Sequence, residues 1–200
     1  MTEFFAEKCD KKKTFENSTL STLIRFSFQI LDGLNNLRLE GTFCDVTLIV
    51  DGQEFQVHKA VLSAASSYFK AMFTCNLAES SLAKVPLNGV ESSIMKQLLD
   101  YIYSSEIVIS KENVQSLLSA ANLLELLPVR DACCQYLDRH MDETNCLGIQ
   151  SFAEAHNCLD LQQKARTFAL KHFNDLINGK SKIKNIFCFQ STKKISMIVL

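Results

Sequence analysis

Glycine and proline are scarce here: six and two in 200 residues, with no Gly-Gly pair anywhere. A run of propeller blades, which would repeat about every 50 residues, is therefore excluded from this stretch. Excess basic charge is missing too. Twenty-one Lys and Arg face 22 Asp and Glu, for a net charge of −1, so there is no electrostatic footprint for nucleic acid. No apolar run nears the roughly 20 residues of a membrane span. The opening MTEFFAEKCDKKK lacks the apolar core of a signal peptide, so a cytoplasmic protein is expected, with the nucleus also open to it.

Chemical motifs are missing as well. The eight cysteines form no Cys-x-x-Cys pair, and without a secretory signal they read as reduced, mostly buried thiols. Adjacent Cys133 and Cys134 read as packing residues. His140 with Cys146, and His156 with Cys158, invite a zinc reading, but structural zinc wants four converging ligands at compact spacing. No metal or other cofactor is expected. The sequence holds no Gly-rich phosphate loop, nucleophile elbow or His-Glu-x-x-His motif, so no enzymatic activity is expected either.

What is present concentrates between Phe43 and Phe73. Val46, Leu48 and Val50 alternate with Asp45, Thr47 and Ile49, a period of two that buries one set. Asp51-Gly52 supplies a two-residue turn, beyond which Phe55 and Val57 alternate with Glu54 and Gln56. That pattern predicts a β-hairpin. From His58 the period turns helical, with Val61, Leu62, Ala65, Phe69, Met72 and Phe73 on one side. A polar stretch follows, with a short strand predicted over 85–87 and broken by Pro86. Next come a helix over 90–103, carrying Ile94, Leu98, Leu99, Ile102 and Tyr103, and a short strand over 107–109. Ser110 is expected to cap a helix bearing Val114, Leu117, Leu118, Ala121 and Leu124. Pro128 suits the first turn of the next helix, which continues through Cys133, Tyr136, Leu137 and His140.

Upstream, residues 1–16 are polar and lysine-rich and read as a mobile arm. Leu20, Leu23, Ile24, Leu31 and Leu34 then mark one apolar stripe, and Phe26, Phe28, Ile30 and Leu37 widen it past a single face. Such a helix must be covered on more than one side. It is either a central core helix or a helix packed between two subunits. Gly41 ends it.

The segments FCDVTLIV and VHKAVLSAASSYFKAMF, gap-free and in order, resemble the core of a BTB/POZ domain of the kind found in kelch-like proteins. LLDYIYSSEIVIS is similar to that family's passage from a helix into a strand. NCLGIQSFAEAHNCLDLQQKARTFALKHF resembles the opening of a BACK domain, in which Phe152, Ala153 and His156 share one helix face. The resemblance implies an α+β fold. A BTB/POZ domain over 17–141, a small β-sheet packed with a cluster of α-helices, precedes a partial all-α BACK helix pair over 142–178. The lysine-rich stretch 179–200 departs from the family, which suggests a truncated form lacking kelch repeats.

The resemblance also implies a homodimer whose N-terminal helix crosses to the partner, over an interface on the order of 1,500 Å² or more. Leu20, Leu23, Ile24, Leu31 and Leu34 would lie in it, with Asp45 and Lys59 as a charged pair close by. Leu77-Ala78-Glu79 resembles the hydrophobic-x-Glu motif by which such domains engage cullin-3, the scaffold of a ubiquitin ligase. Ala71 and Met72 would border that surface. The first two BACK helices, the 3-box, would extend it through Phe152 and His156. The function implied is that of a substrate adaptor for a cullin-3 ligase, without the substrate-binding propeller, that pairs with itself or with a full-length kelch-like paralogue. The competing reading is a BTB dimerisation scaffold, corepressor-binding or cytoskeletal, that does not use cullin.

Overall fold

The structure, a computed structural model, describes residue 26 and residues 28–74 and 82–172. Leu20, Leu23, Ile24, Leu77 and Glu79, together with the arm over 1–16 and the stretch 179–200, lie outside the described residues. The chain divides into two compact units, one up to Ile107 and one from Val108 onward.

In the first unit, helix α1 over 28–39 leads into a three-stranded sheet of order β2-β1-β3. Strands β1 (Val46–Val50) and β2 (Gln53–Val57) are antiparallel, with Val50 opposite Gln53. Asp51 and Gly52 between them have φ of 50° and 78°. Both are positive, as a two-residue turn matched to the strand twist requires. Val46, Leu48, Val50, Phe55 and Val57 are buried, as the alternation predicts. Strand β3 (Lys84–Pro86) pairs with β1 in parallel, after a crossover through helices α2 (Lys59–Ala65) and α3 (Ser67–Thr74). Pro86 costs the ladder nothing. The β3 edge bonds β1 through the Ala83 carbonyl and the Leu87 N–H, on either side of the proline.

The single helix expected from His58 is two. Ser66 is extended, at φ −144° and ψ 127°, and its hydroxyl accepts the Phe69 N–H at 3.2 Å. A serine that caps the next helix interrupts an apolar period that runs unbroken across it. Only Leu62 and Phe69 of the predicted stripe are buried, and Ala65 is exposed. Helix α4 (Ser92–Ser104) closes the unit, burying Ile94, Met95, Leu98, Leu99, Ile102 and Tyr103.

The second unit is helical. Helices α5 (Val114–Leu123) and α6 (Leu127–Arg139) form one packed pair, and α7 (Cys146–Ala155) and α8 (Leu159–Lys171) form another. Pro128 sits in the first turn of α6. Two expectations fail here. Residues 107–109 form no strand, and the side chain of Asn113 instead bonds the Val108 carbonyl at 2.9 Å. Ser110 is not the cap either. Its N–H donates to Asn113 Oδ1 at 2.8 Å, and Asn113 stands at the N-cap.

Candidate protein-interaction surfaces

Helix α1 is fixed from one side by a polar chain. Arg38, with its side chain 9% exposed, donates to Asp100 at 2.8 Å and to the Asn35 side-chain oxygen at 2.8 and 3.1 Å. Its guanidinium lies 4.9 Å from the centre of the fully buried Tyr103 ring. The Tyr103 hydroxyl in turn meets His58, at 2.9 Å from Nδ1 and 3.1 Å from the backbone N–H. His58 Nε2 lies 3.1 Å from the Thr42 carbonyl. A carbonyl only accepts, so Nε2 carries the proton and Nδ1 accepts from the phenol. Burial pushes the Tyr103 pKa up, which keeps that phenol proton in place. Among the described residues no buried side-chain polar atom lacks a partner.

The other side of α1 is open. Phe26, Phe28 and Ile30 are exposed, while Leu31, Leu34 and Leu37 are half-buried. The helix ends on Gly41, at φ 70°, with the Gly41 N–H bonded to the Arg38 carbonyl and the Thr42 N–H to that of Leu37. That is the paired Schellman closure. Phe43 follows at φ 58°, exposed. A bulky side chain in the left-handed region costs about 1–2 kcal/mol. Sequence reading missed this residue, because nothing in its neighbours announces the conformation.

Asp45 and Lys59 are joined through the Lys59 backbone. Asp45 Oδ1 accepts the Lys59 N–H at 2.7 Å, closing the first turn of α2. Lys59 Nζ lies 5.6 Å from the centre of the Phe73 ring. At the end of α3, Ala71 is exposed and Met72 half-buried.

In the second unit, the Phe152 and His156 rings lie 4.4 Å apart and are both half-buried, and Ala153 on the same helix is buried. A cavity of about 540 Å³ opens along α6 and the start of α8, lined by Arg130, Asp131, Cys134, Asp138, Cys158 and Lys164. In it Arg130 pairs with Asp131 and Lys164 with Asp138, and Asp160 also lines it. Burial pushes Cys134 up to about 12, helped by its hydrogen bond to Cys158, whose own thiol reaches the His156 carbonyl at 3.6 Å. Cys133 is also pushed up to about 12, by burial first. Such thiols remain protonated at neutral pH. Among the described residues, no three of His, Cys, Asp and Glu converge as metal ligands would. No described helix is long and apolar enough to cross a membrane.

The first unit is thus a small mixed sheet with helices, and the large apolar side chains at the start of α1 are open to solvent. Comparison with known proteins identifies the fold. The family model described as BTB/POZ domain matches residues 34–141, and that described as BTB And C-terminal Kelch matches residues 146–183. Kelch-like protein 3 of Homo sapiens is 43% identical over 147 residues, which is 74% of this chain and 25% of that protein. Human Kelch-like protein 2 is 43% identical over 144 residues, 72% of this chain and 24% of that protein. Of solved structures, the BTB domain of zebrafish PATZ1 matches with a TM-score of 0.53 and 32% identity, covering 57% of this chain and 93% of that one. The BTB domain of human Gigaxonin matches at 0.51 and 34%, covering 56% and 92%. The chain belongs to the BTB/POZ domain family, with BACK helices following the BTB fold as in the kelch-like proteins it matches. The expected α+β class is therefore borne out. The chain spans about a quarter of the length of the curated relatives it matches.

Proposed function

We propose that the chain acts as a homodimeric adaptor that docks on cullin-3, so as to serve a ubiquitin ligase. The observation that carries this reading is the order of a BTB domain and BACK helices at 43% identity to kelch-like proteins, joined to an α1 face left open to solvent. Two copies would cover one another along α1. The cullin would meet Leu77 and Glu79, next to Ala71 and Met72, with Phe152 and His156 of the BACK helices extending the contact. An apolar side chain such as Leu77 contributes about 1.5–3 kcal/mol when fully buried in a partner. A carboxylate such as Glu79 adds about 1.5–3 kcal/mol in hydrogen bonds to a charged group. The same α1 surface suits pairing with a full-length kelch-like paralogue, which would mix adaptors of different substrate reach.

Titration with the amino-terminal domain of cullin-3 tests the docking. Wild type should bind at micromolar concentrations or better. Glu79→Lys should lose at least about tenfold in affinity while the mass by light scattering stays that of a dimer. Absence of wild-type binding at micromolar concentrations would sink the adaptor reading and leave a BTB scaffold that does not use cullin.

A further inference from the structure

Among the described residues, five other than glycine have positive φ. Asp51 lies in the hairpin turn, and Ser105, Glu125 and Asn157 lie at or just past helix ends, where the left-handed conformation is common. Phe43 has neither excuse. Gly41 already closes α1, so a second left-handed residue two positions on needs another cause.

That cause is visible on both sides of it. Thr42 is held by its N–H on the Leu37 carbonyl and by its carbonyl under His58 Nε2. Asp45 is held by its N–H on the Val57 carbonyl at 3.3 Å. The backbone around Phe43 is pinned, and its side chain is turned out to 80% exposure. Strain of this sort persists only where the surroundings over-determine it, and it gathers where chains recognise something.

We propose that Phe43 is the anchor by which two copies of this chain hold together, its ring set into the apolar surface of the partner copy. The proposal rests on the homodimer reading above and names the residue that carries it. Area argues for a second copy as the occupant. Phe26 is 60% exposed, Phe28 52%, Ile30 48% and Leu39 70%, all on α1 or beside its first turn. At roughly 150–250 Å² for each large side chain, these four and Phe43 expose roughly 500 Å² or more. A standard interface takes about 800 Å² from each partner, so these residues supply most of one half. Phe43 is the most exposed of the five, and a large exposed side chain that a partner desolvates is the usual form of a hot spot.

The test compares wild type, Phe43→Ala and Phe43→Asn of the whole 200-residue chain in a dilution series by analytical ultracentrifugation, with thermal melting at concentrations where wild type and variants alike are monomeric. Asparagine takes the left-handed conformation more readily than phenylalanine, so Phe43→Asn removes the ring without disturbing the turn. The expected result is a dimer dissociation constant raised by at least about tenfold in both variants, with the Asn monomer melting no lower than wild type. A dimeric wild type with constants unchanged within about twofold in both variants would overturn the anchor and leave the homodimer standing. Weaker pairing from variants that melt well below wild type would overturn it too, since Phe43 would then serve the fold alone. A wild type monomeric throughout would remove the homodimer reading itself.

Discussion

His156 packs against Phe152 at the end of α7 with its ring tilted, and a histidine stacks on an aromatic ring at the end of α6, with Tyr136 and His140, and at the end of α8, with Phe168 and His172. Ring centres lie 4.1–4.4 Å apart in all three, four residues apart in sequence. A histidine at a helix carboxyl end is well placed for positive charge, but burial lowers the His156 pKa below the ordinary 6.5. The pH dependence follows. Above pH 6.5 the folded and unfolded chains both hold a neutral imidazole. Below it the unfolded chain takes up a proton before the folded one does, so stability is lost as pH falls from 6.5 toward the folded pKa. Urea midpoints at several pH values between 7.5 and 5 should therefore fall more steeply for wild type than for His156→Gln, and parallel slopes would refute the assignment. The shared face of Phe152, Ala153 and His156 was legible from helical spacing alone. The left-handed Phe43 was not, because its φ is set by His58 and Tyr103, residues 15 and 60 positions further on, through bonds no local pattern encodes.

At the scale of elements, local rules succeeded wherever partners were sequence neighbours. The β1–β2 hairpin needed only alternation and Asp51-Gly52, and its register follows. Distance defeated the same rules elsewhere. The Ile107, Val108 and Ile109 run has strand-forming residues, yet a strand exists only where another backbone pairs with it, and none of the described ladders includes it. The break between α2 and α3 turns on a hydroxyl bond from Ser66, which apolar periodicity does not register. Asp51 shows how far a local residue can reach. Besides forming the turn, its Oδ2 accepts the Ser92 N–H at 2.9 Å, capping α4 from 41 positions away where Glu91 makes no side-chain cap bond. Asp51→Ala should destabilise the fold by about 1–2 kcal/mol, through loss of the cap and a left-handed alanine. Asp51→Asn keeps an acceptor oxygen and tolerates the conformation, so it should stay within about 0.5 kcal/mol of wild type. Denaturant midpoints decide between them, and an Ala variant as stable as wild type would show that the cap carries no weight.

For the whole molecule, the question is whether the buried residues of each unit make the fold self-sufficient or whether α1 needs a second copy. Among the described residues the buried set extends from Val46 to Tyr103 and from Val114 to Ala169, whereas the large side chains at the start of α1 are exposed. If the chain pairs as proposed, its melting reports the association. If two copies unfold together, the folded dimer is favoured by mass action, and raising the protein concentration a hundredfold stabilises it by about 2.7 kcal/mol. With an unfolding entropy of about 2.1 cal/mol/K per residue over the roughly 280 described residues of two copies, that shift corresponds to about 5 °C in Tm. Calorimetry at about 1 and about 100 µM should show that rise. Phe43→Asn, weakened in pairing, should approach its monomer Tm at the lower concentration, while a wild-type Tm that does not move with concentration would mean that α1 stays uncovered by a second copy when the chain melts.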